Sequence, residues 1–226
     1  MLELSVALFV FTLFHGLPST PLRSWLIARL GRSPFMGLFS ALSVVLFAWA
    51  WIAYRRAPVE TVFWVTPFEV RLLSAALILV CFWLLAAALM GKPRILLTGE
   101  QHLGNPDAVK AVLRVTRHPM LWAVGIWAVI HMANNADPPS WLFFGYIALL
   151  SFAGTWLIDR RRRRLLGAQW TTLQERTSNI PFYAILVGRN RLVWQEFRWL
   201  ALFLAVAVWV LIIILHEGLF GMPVFW

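Results

Sequence analysis

The sequence predicts an all-α polytopic membrane protein, a bundle of about six transmembrane helices, because three observations agree. Of the 226 residues, 61% are hydrophobic and only 13% charged, against about 25% charged in an ordinary soluble domain. The apolar residues gather into six segments, and the basic residues gather into alternate connections between them. A soluble fold of this length could not hide so much apolar surface from water, whereas lipid lets apolar side chains face outward. Mean hydropathy is +0.74.

The six segments are Leu4–Phe14, Met36–Ala53, Val70–Met90, Met120–Met132, Ser140–Ile158 and Trp199–Leu215. A full span needs about 20 residues. The second, third, fifth and sixth segments approach that length. The first and fourth are short, and each carries a histidine near one end, His15 and His131. They reach full depth only if the helices continue through slightly polar residues facing the bundle interior. Met1-Leu2-Glu3 offers no basic stretch and no small-x-small cleavage site follows, so the first segment is expected to be a retained span. Pro18 and Pro21 end it, Pro34 precedes the second span, and Pro138-Pro139 separates the fourth from the fifth. Thr98–Arg117 reads as an interfacial helix opened by Asn105-Pro106. Thr177–Gly188, with Pro181-Phe182-Tyr183, reads as a membrane-surface segment. No internal repeat divides the chain, so residues 1–226 are expected to form one transmembrane domain.

Charge orients these segments. The net charge is +10, and 17 of the 20 basic residues fall in the connections Gly16–Phe35, Gly91–Pro119 and Asp159–Arg198. Basic loops are retained on the cytoplasmic side. Both termini are then expected outside the cytoplasm, as an even number of spans requires, in a bacterial inner membrane. On this reading the excess of arginine is a topology signal and not a nucleic-acid footprint. The run Arg160–Arg164 is expected to stop a span, its side chains reaching the headgroups. The single cysteine, Cys81, allows no disulfide within the chain and no cysteine-based metal motif. There is no phosphate loop, dinucleotide fingerprint, Gly-x-Ser-x-Gly or His-Glu-x-x-His, nor a paired-carboxylate site within a span.

The chemistry-bearing candidates are histidines. An ionisable residue inside a membrane segment is costly, and such residues mark functional sites. At 1.5 Å per residue, His15 lies ~18 Å along the first span and His131 ~17 Å along the fourth, both near the middle of a ~30 Å core. Two readings stand for them. The imidazoles could ligate one metal from opposite sides, or each could hydrogen-bond a carbonyl or hydroxyl inside the bundle. Asp137 or a backbone carbonyl could take the second ring N–H of His131, and Asn134–Asp137 could equally be a turn cap. Arg117-His118-Pro119 stands where a basic connection meets the fourth span. It reads either as an anion or cofactor-phosphate site or as a basic helix entry. His216, beside Glu217 at the end of the last span, reads as interfacial, and His102 lies in a connection.

Several motifs carry a resemblance that covers nearly the whole chain. They are Phe14-His15-Gly16-Leu17, Val115-Thr116-Arg117-His118-Pro119 with Trp122 and Gly125, Ile130-His131-Met132-Ala133-Asn134-Asn135-Ala136-Asp137, Phe144-Gly145, Ile158-Asp159-Arg160-Arg161 and Thr177-Ser178-Asn179-Ile180-Pro181-Phe182. Through them the chain resembles the NnrU-type membrane proteins, relatives of 15-cis-zeta-carotene isomerase. The resemblance implies a haem b protein whose metal ligands are His15 and His131. It implies a redox-dependent isomerase or oxidoreductase acting on an apolar small molecule, or a protein linked to denitrification. In the isomerase a cysteine three residues before the second histidine is the alternate ligand. That position here is Ala128, so the thiolate switch is absent from this sequence. A more distant resemblance, through Arg117-His118-Pro119 and Asp159, is to isoprenylcysteine carboxyl methyltransferases. It implies S-adenosylmethionine bound by Arg117, His118 and Asp159, with arginines standing where further carboxylate would be expected. A third expectation is a non-enzymatic membrane assembly factor. Expected partners are membrane lipid and an apolar substrate, with no nucleic acid.

Overall fold

The structure is a computed structural model that describes residues 1–91 and 109–225. All regular structure among the described residues is helical. Helices α1 (Leu2–Gly16), α2 (Pro21–Leu30), α3 (Arg32–Arg56) and α4 (Phe68–Met90) precede the undescribed stretch. After it come α5 (Val112–Val115), α6 (Pro119–Asn134), α7 (Pro138–Leu166), α8 (Ala168–Arg176), α9 (Tyr183–Leu186) and α10 (Trp199–Phe220).

Each of the six apolar segments forms a helix, and the protein is a polytopic helical membrane bundle. Four of them, α3, α4, α7 and α10, are long and apolar enough to cross a membrane alone. α1 and α2 bend by 73° across a short break and together count as a fifth candidate. At 16 residues α6 is shorter than a typical span, so among the described residues four helices, or five with the bent pair, are candidate crossings by length and composition, and α6 is a shorter apolar helix beside them. The connection expected over Gly16–Phe35 is itself largely helical. Pro21 occupies the first position of α2, where its missing N–H has no intrahelical acceptor to lose. Pro34 lies within the first turn of α3 for the same reason. α7 continues as helix through Arg160–Arg164, so the arginine run ends the apolar stretch without ending the helix. The expected interfacial helix Thr98–Arg117 lies outside the described residues up to 108, as does His102; its described remainder is a turn at Ala111 and α5.

The helices pack in the order α10, α4, α6, α7, with α1 and α3 closing the far side against α7. Small residues permit the close crossings: Ala7, Ala50, Ala53, Ala128 and Ala148 are buried beside Leu4, Leu8, Phe143, Phe144 and Ile147. Gly125 of α6 is required by contact, since a Cβ there would stand 2.6 Å from Cε1 of Phe152 on α7. Trp209 of α10 donates its indole N–H to the Ala75 carbonyl of α4 at 2.8 Å. Outward faces carry large apolar side chains such as Val44, Phe203 and Ile214, each about 70% exposed to what would be lipid.

The two ends of the bundle differ. The basic end holds α5, α8, Arg160–Arg164 and the connection to α10. At the opposite end lie the start of α1, where Glu3 accepts a hydrogen bond from the Trp49 indole, and the end of α10, where the Phe220 carbonyl accepts one from Arg55. Both helical termini therefore share the end opposite α5, α8 and Arg160–Arg164, with Arg55 beside them.

Candidate functional site

At the far end a cavity of about 340 Å³ opens between α3, α4, α6 and α10. Its walls are aromatic and aliphatic: Trp51, Phe82, Trp127, Phe144, Trp209 and Ile212. Into these walls are set a few polar groups, among them His131, His216, Arg55 and Arg71, and among the described residues no carboxylate side chain lines it. An apolar pocket with few convergent polar groups is the usual build of a small-molecule site.

α6 positions His131 by its helical period. The Nδ1–H of His131 donates to the Trp127 carbonyl one turn back, at 2.9 Å, which fixes the ring and leaves Nε2 bare. The ring packs 4.5 Å from the Trp127 ring and 5.0 Å from Phe144 of α7, centre to centre. Of the two partners the sequence offers for its second nitrogen, the backbone carbonyl is the one used. Asp137 instead caps α7, accepting from Ser140 N and Ser140 Oγ at 2.8 Å each. Asn134 and Asn135 bond back to the carbonyls of Ile130 and His131, and Asn134 also reaches Ser74 Oγ of α4.

His15 lies elsewhere. Its Nδ1–H donates to the Phe11 carbonyl at 3.1 Å, and its ring sits among Phe11, Phe14 and Phe39. Phe39 is near the start of α3. Tyr54, which packs on the His131 neighbour Phe144, is near its end, about four turns away. The two imidazoles share no ring neighbour among the described residues, and His15 is not among the residues lining the cavity. The structure thus does not bring the two histidines together. The reason is that α6 starts at the basic end and carries His131 outward, whereas α1 starts at the far end and carries His15 toward the basic one. Ala128 is fully buried in the core between α6, α7 and α1, and contributes a methyl group there and no ligand.

Arg117 and His118, in contrast, are brought together at the basic end, and both converge on Asp159. Arg117 Nε donates to Oδ1 and Oδ2 at 3.0 and 2.9 Å, its NH2 group reaches Oδ2 at 2.5 Å, and His118 Nε2 meets Oδ1 at 2.7 Å. Burial pushes the His118 imidazole below its usual range, and the Asp159 hydrogen bond opposes that shift. Around this knot the segment 115–117 pairs with 178–182. Arg117 N donates to Ser178 O, Thr116 Oγ1 to Asn179 O, and Phe182 N to Val115 O. Asn179 bridges further, donating to Thr155 Oγ1 of α7 at 2.9 Å and accepting from the Trp122 indole at 3.2 Å. Both oxygens of Asp159 are engaged inside the chain, so this carboxylate fastens a guanidinium and an imidazole of its own.

Two groups escaped sequence reasoning. His216 lines the same cavity as His131, although read alone it is a helix-end residue. The signal was parity, since α6 and α10 run the same way and their last turns must share one end. Glu196 is the other. Arg114 donates to both its carboxylate oxygens at 2.7 Å, and this pairing holds the Glu196 carboxyl below the usual carboxylate range and raises the Arg114 guanidinium.

A protein-family model described as "NnrU protein" matches residues 3–224. The 15-cis-zeta-carotene isomerase of Arabidopsis thaliana is 33% identical over 112 residues, which is 48% of this chain and 27% of that protein. Its Zea mays counterpart is 31% identical over 113 residues, 49% of this chain and 28% of that protein. The matched region thus spans little more than a quarter of these curated relatives. No solved structure matches the chain.

Proposed function

The chain belongs to the NnrU family, and on that premise we propose an isomerase-like membrane protein that binds an apolar, polyene-type substrate in the far-end cavity. One observation carries this reading: a void walled by Trp127, Phe144 and Trp209 with the imidazole of His131 set among them. Flat aromatic walls suit a conjugated chain and keep water from it. Cis-to-trans conversion neither gains nor loses atoms, so the protein's part is to hold the chain, restrict its rotation and exclude water.

The expected haem b is part of the proposal, and the residues fit it only in part. His131 has the fixed ring and bare Nε2 of a ligand, and a haem would supply a redox-active iron there. His15 does not border the same void, so the pair expected from resemblance is not assembled, and no chemical step is routed through the iron. A link to denitrification and the orientation of the basic end toward the cytoplasm belong to the same proposal.

The test is direct. Full-length protein purified into lipid nanodiscs is incubated with a cis-polyene, and the isomers are separated by chromatography. Conversion that falls when Trp127 or Phe144 becomes alanine supports the reading. Conversion that is absent from the wild type, or indifferent to these residues, overturns it.

A further inference from the structure

We propose that the cleft between the end of α4 and the start of α10, at the basic end of the bundle, binds an anionic phospholipid, with its phosphate on Lys110 and Arg198 at the rim and an acyl chain along the apolar wall below. The cleft measures about 270 Å³ and shares no lining residue with the far-end cavity.

The helical period builds the wall. Trp83, Ala87 and Met90 recur at steps of four and three residues, so they share one face of α4. Ala201, in the first turn of α10, lines the cleft with them. Ala87 and Ala201 are buried, and two such small side chains leave a trough floored by methyl groups. Phe197 closes one side, its ring 5.4 Å from that of Trp83. Three contacts fasten the rim. Ala111 N donates to Glu196 Oε2 at 2.7 Å, Phe197 packs on Trp83, and Arg198 donates to the Met90 carbonyl at 3.2 Å. The stretch 196–198 is thereby tied both to 110–111 and to the last turn of α4, which sets Lys110 and Arg198 on one rim.

Charge and depth select the ligand class. Glu196 also lines the cleft, but both its oxygens accept from Arg114, and Oε2 from Ala111 N as well. One glutamate thus offsets one arginine, and Lys110 with Arg198 leaves the rim positive. The bond to Met90 anchors the Arg198 guanidinium, whose fork of N–H donors suits a phosphate. Trp194 and Trp199, on either side of Arg198 in the chain, are 66% and 78% exposed. Exposed tryptophans settle at the headgroup level of a bilayer, which puts the rim among headgroups and the wall among acyl chains. A soluble anion would use the rim and leave the wall idle, whereas an anionic lipid uses both. A choline headgroup would bring its own cation against Lys110 and Arg198. Basic pockets between membrane helices are a general form of headgroup site.

The experiment is native mass spectrometry of the full-length protein in detergent micelles, mixed with equal amounts of dioleoylphosphatidylglycerol and dioleoylphosphatidylcholine. The wild type should retain phosphatidylglycerol several-fold over phosphatidylcholine. Lys110→Gln and Arg198→Gln, at exposed positions that the fold tolerates, should each lower that retention about fivefold, the factor for one basic residue at an anionic headgroup. Arg198→Lys, which keeps the charge, should retain most of it. Arg164→Gln removes an exposed charge at the same end but outside the cleft and should change nothing. Equal retention of the two lipids overturns the site. A loss in Arg164→Gln as large as in Arg198→Gln reduces the effect to general surface charge and overturns it too. Displacement of the lipid by inorganic phosphate at the same concentration overturns the lipid in favour of a soluble anion.

Discussion

Replacing Asp159 by alanine tests how the basic end is held. The substitution leaves the Arg117 guanidinium and the His118 ring without their shared acceptor, in a place where their side chains are 10% and 2% exposed. Removing one partner of a buried ion pair costs about 3–5 kcal/mol, because the remaining charge stays desolvated. The slight exposure of Arg117 and Asp159 puts the effect at the lower end, about 3 kcal/mol. For a chain of this length that lowers the midpoint of unfolding by about 6–12 °C. The readout is the tryptophan-fluorescence melting curve of purified protein in detergent micelles, for Asp159→Ala, Arg117→Ala and the double variant. Because the two groups act as one unit, the double variant should be clearly less destabilised than the sum of the singles. A midpoint for Asp159→Ala within about 2 °C of wild type, or strict additivity, would refute the knot as a structural fastening.

Three other outcomes are expected. Gly125→Ala drives a methyl group into the Phe152 ring, which is held against Trp122 at 5.1 Å; it should cost about 1–3 kcal/mol of stability, and Phe152→Leu in the same chain should restore most of that in a melting assay. Glu196 titrates below its unfolded value of ~4.3, so the unfolded chain takes up the proton first; the contribution of the Arg114–Glu196 pair is full above that value and is lost as pH falls through the lowered one. Melting temperature against pH should show this acid limb, and Glu196→Gln should flatten it. Tyr54→Phe removes the 2.9 Å contact with Ser140 Oγ and should cost about 0.5–1.5 kcal/mol, readable as a small drop in midpoint.

Much of this architecture is legible in the residues. Long apolar runs bounded by arginine and proline located all six helices, because burial in lipid imposes a continuous apolar length that few other constraints mimic. Arg117, His118 and Asp159 were grouped in the sequence only through a resemblance to a cofactor site; the ion pair that joins them is a finding of the structure. What was not legible was depth. Counting residues from the expected ends put His15 and His131 at matching levels, but antiparallel helices of unequal length can be offset by several turns, and the offset is set by which small residues meet. Ala7 and Ala50 are buried in one cluster and Gly125 meets Phe152, and such matches are properties of pairs of helices, not of either sequence alone. His216 escaped for the complementary reason: its significance lies across the bundle.

The brevity of α6 has a consequence for the surrounding bilayer. Sixteen residues of helix cover about 24 Å, while the hydrocarbon layer is about 30 Å thick and the flanking α4 and α7 exceed it. One accommodation of so short a helix is local thinning of the bilayer, which draws the headgroups down toward Asn134 and Asn135 at its last turn. Longer acyl chains enlarge that mismatch, and the rim of the cavity then sinks beneath the glycerol layer. Under the proposed function, a greasy substrate dissolved in that leaflet would meet the rim sideways and enter by lateral diffusion, without ever crossing water.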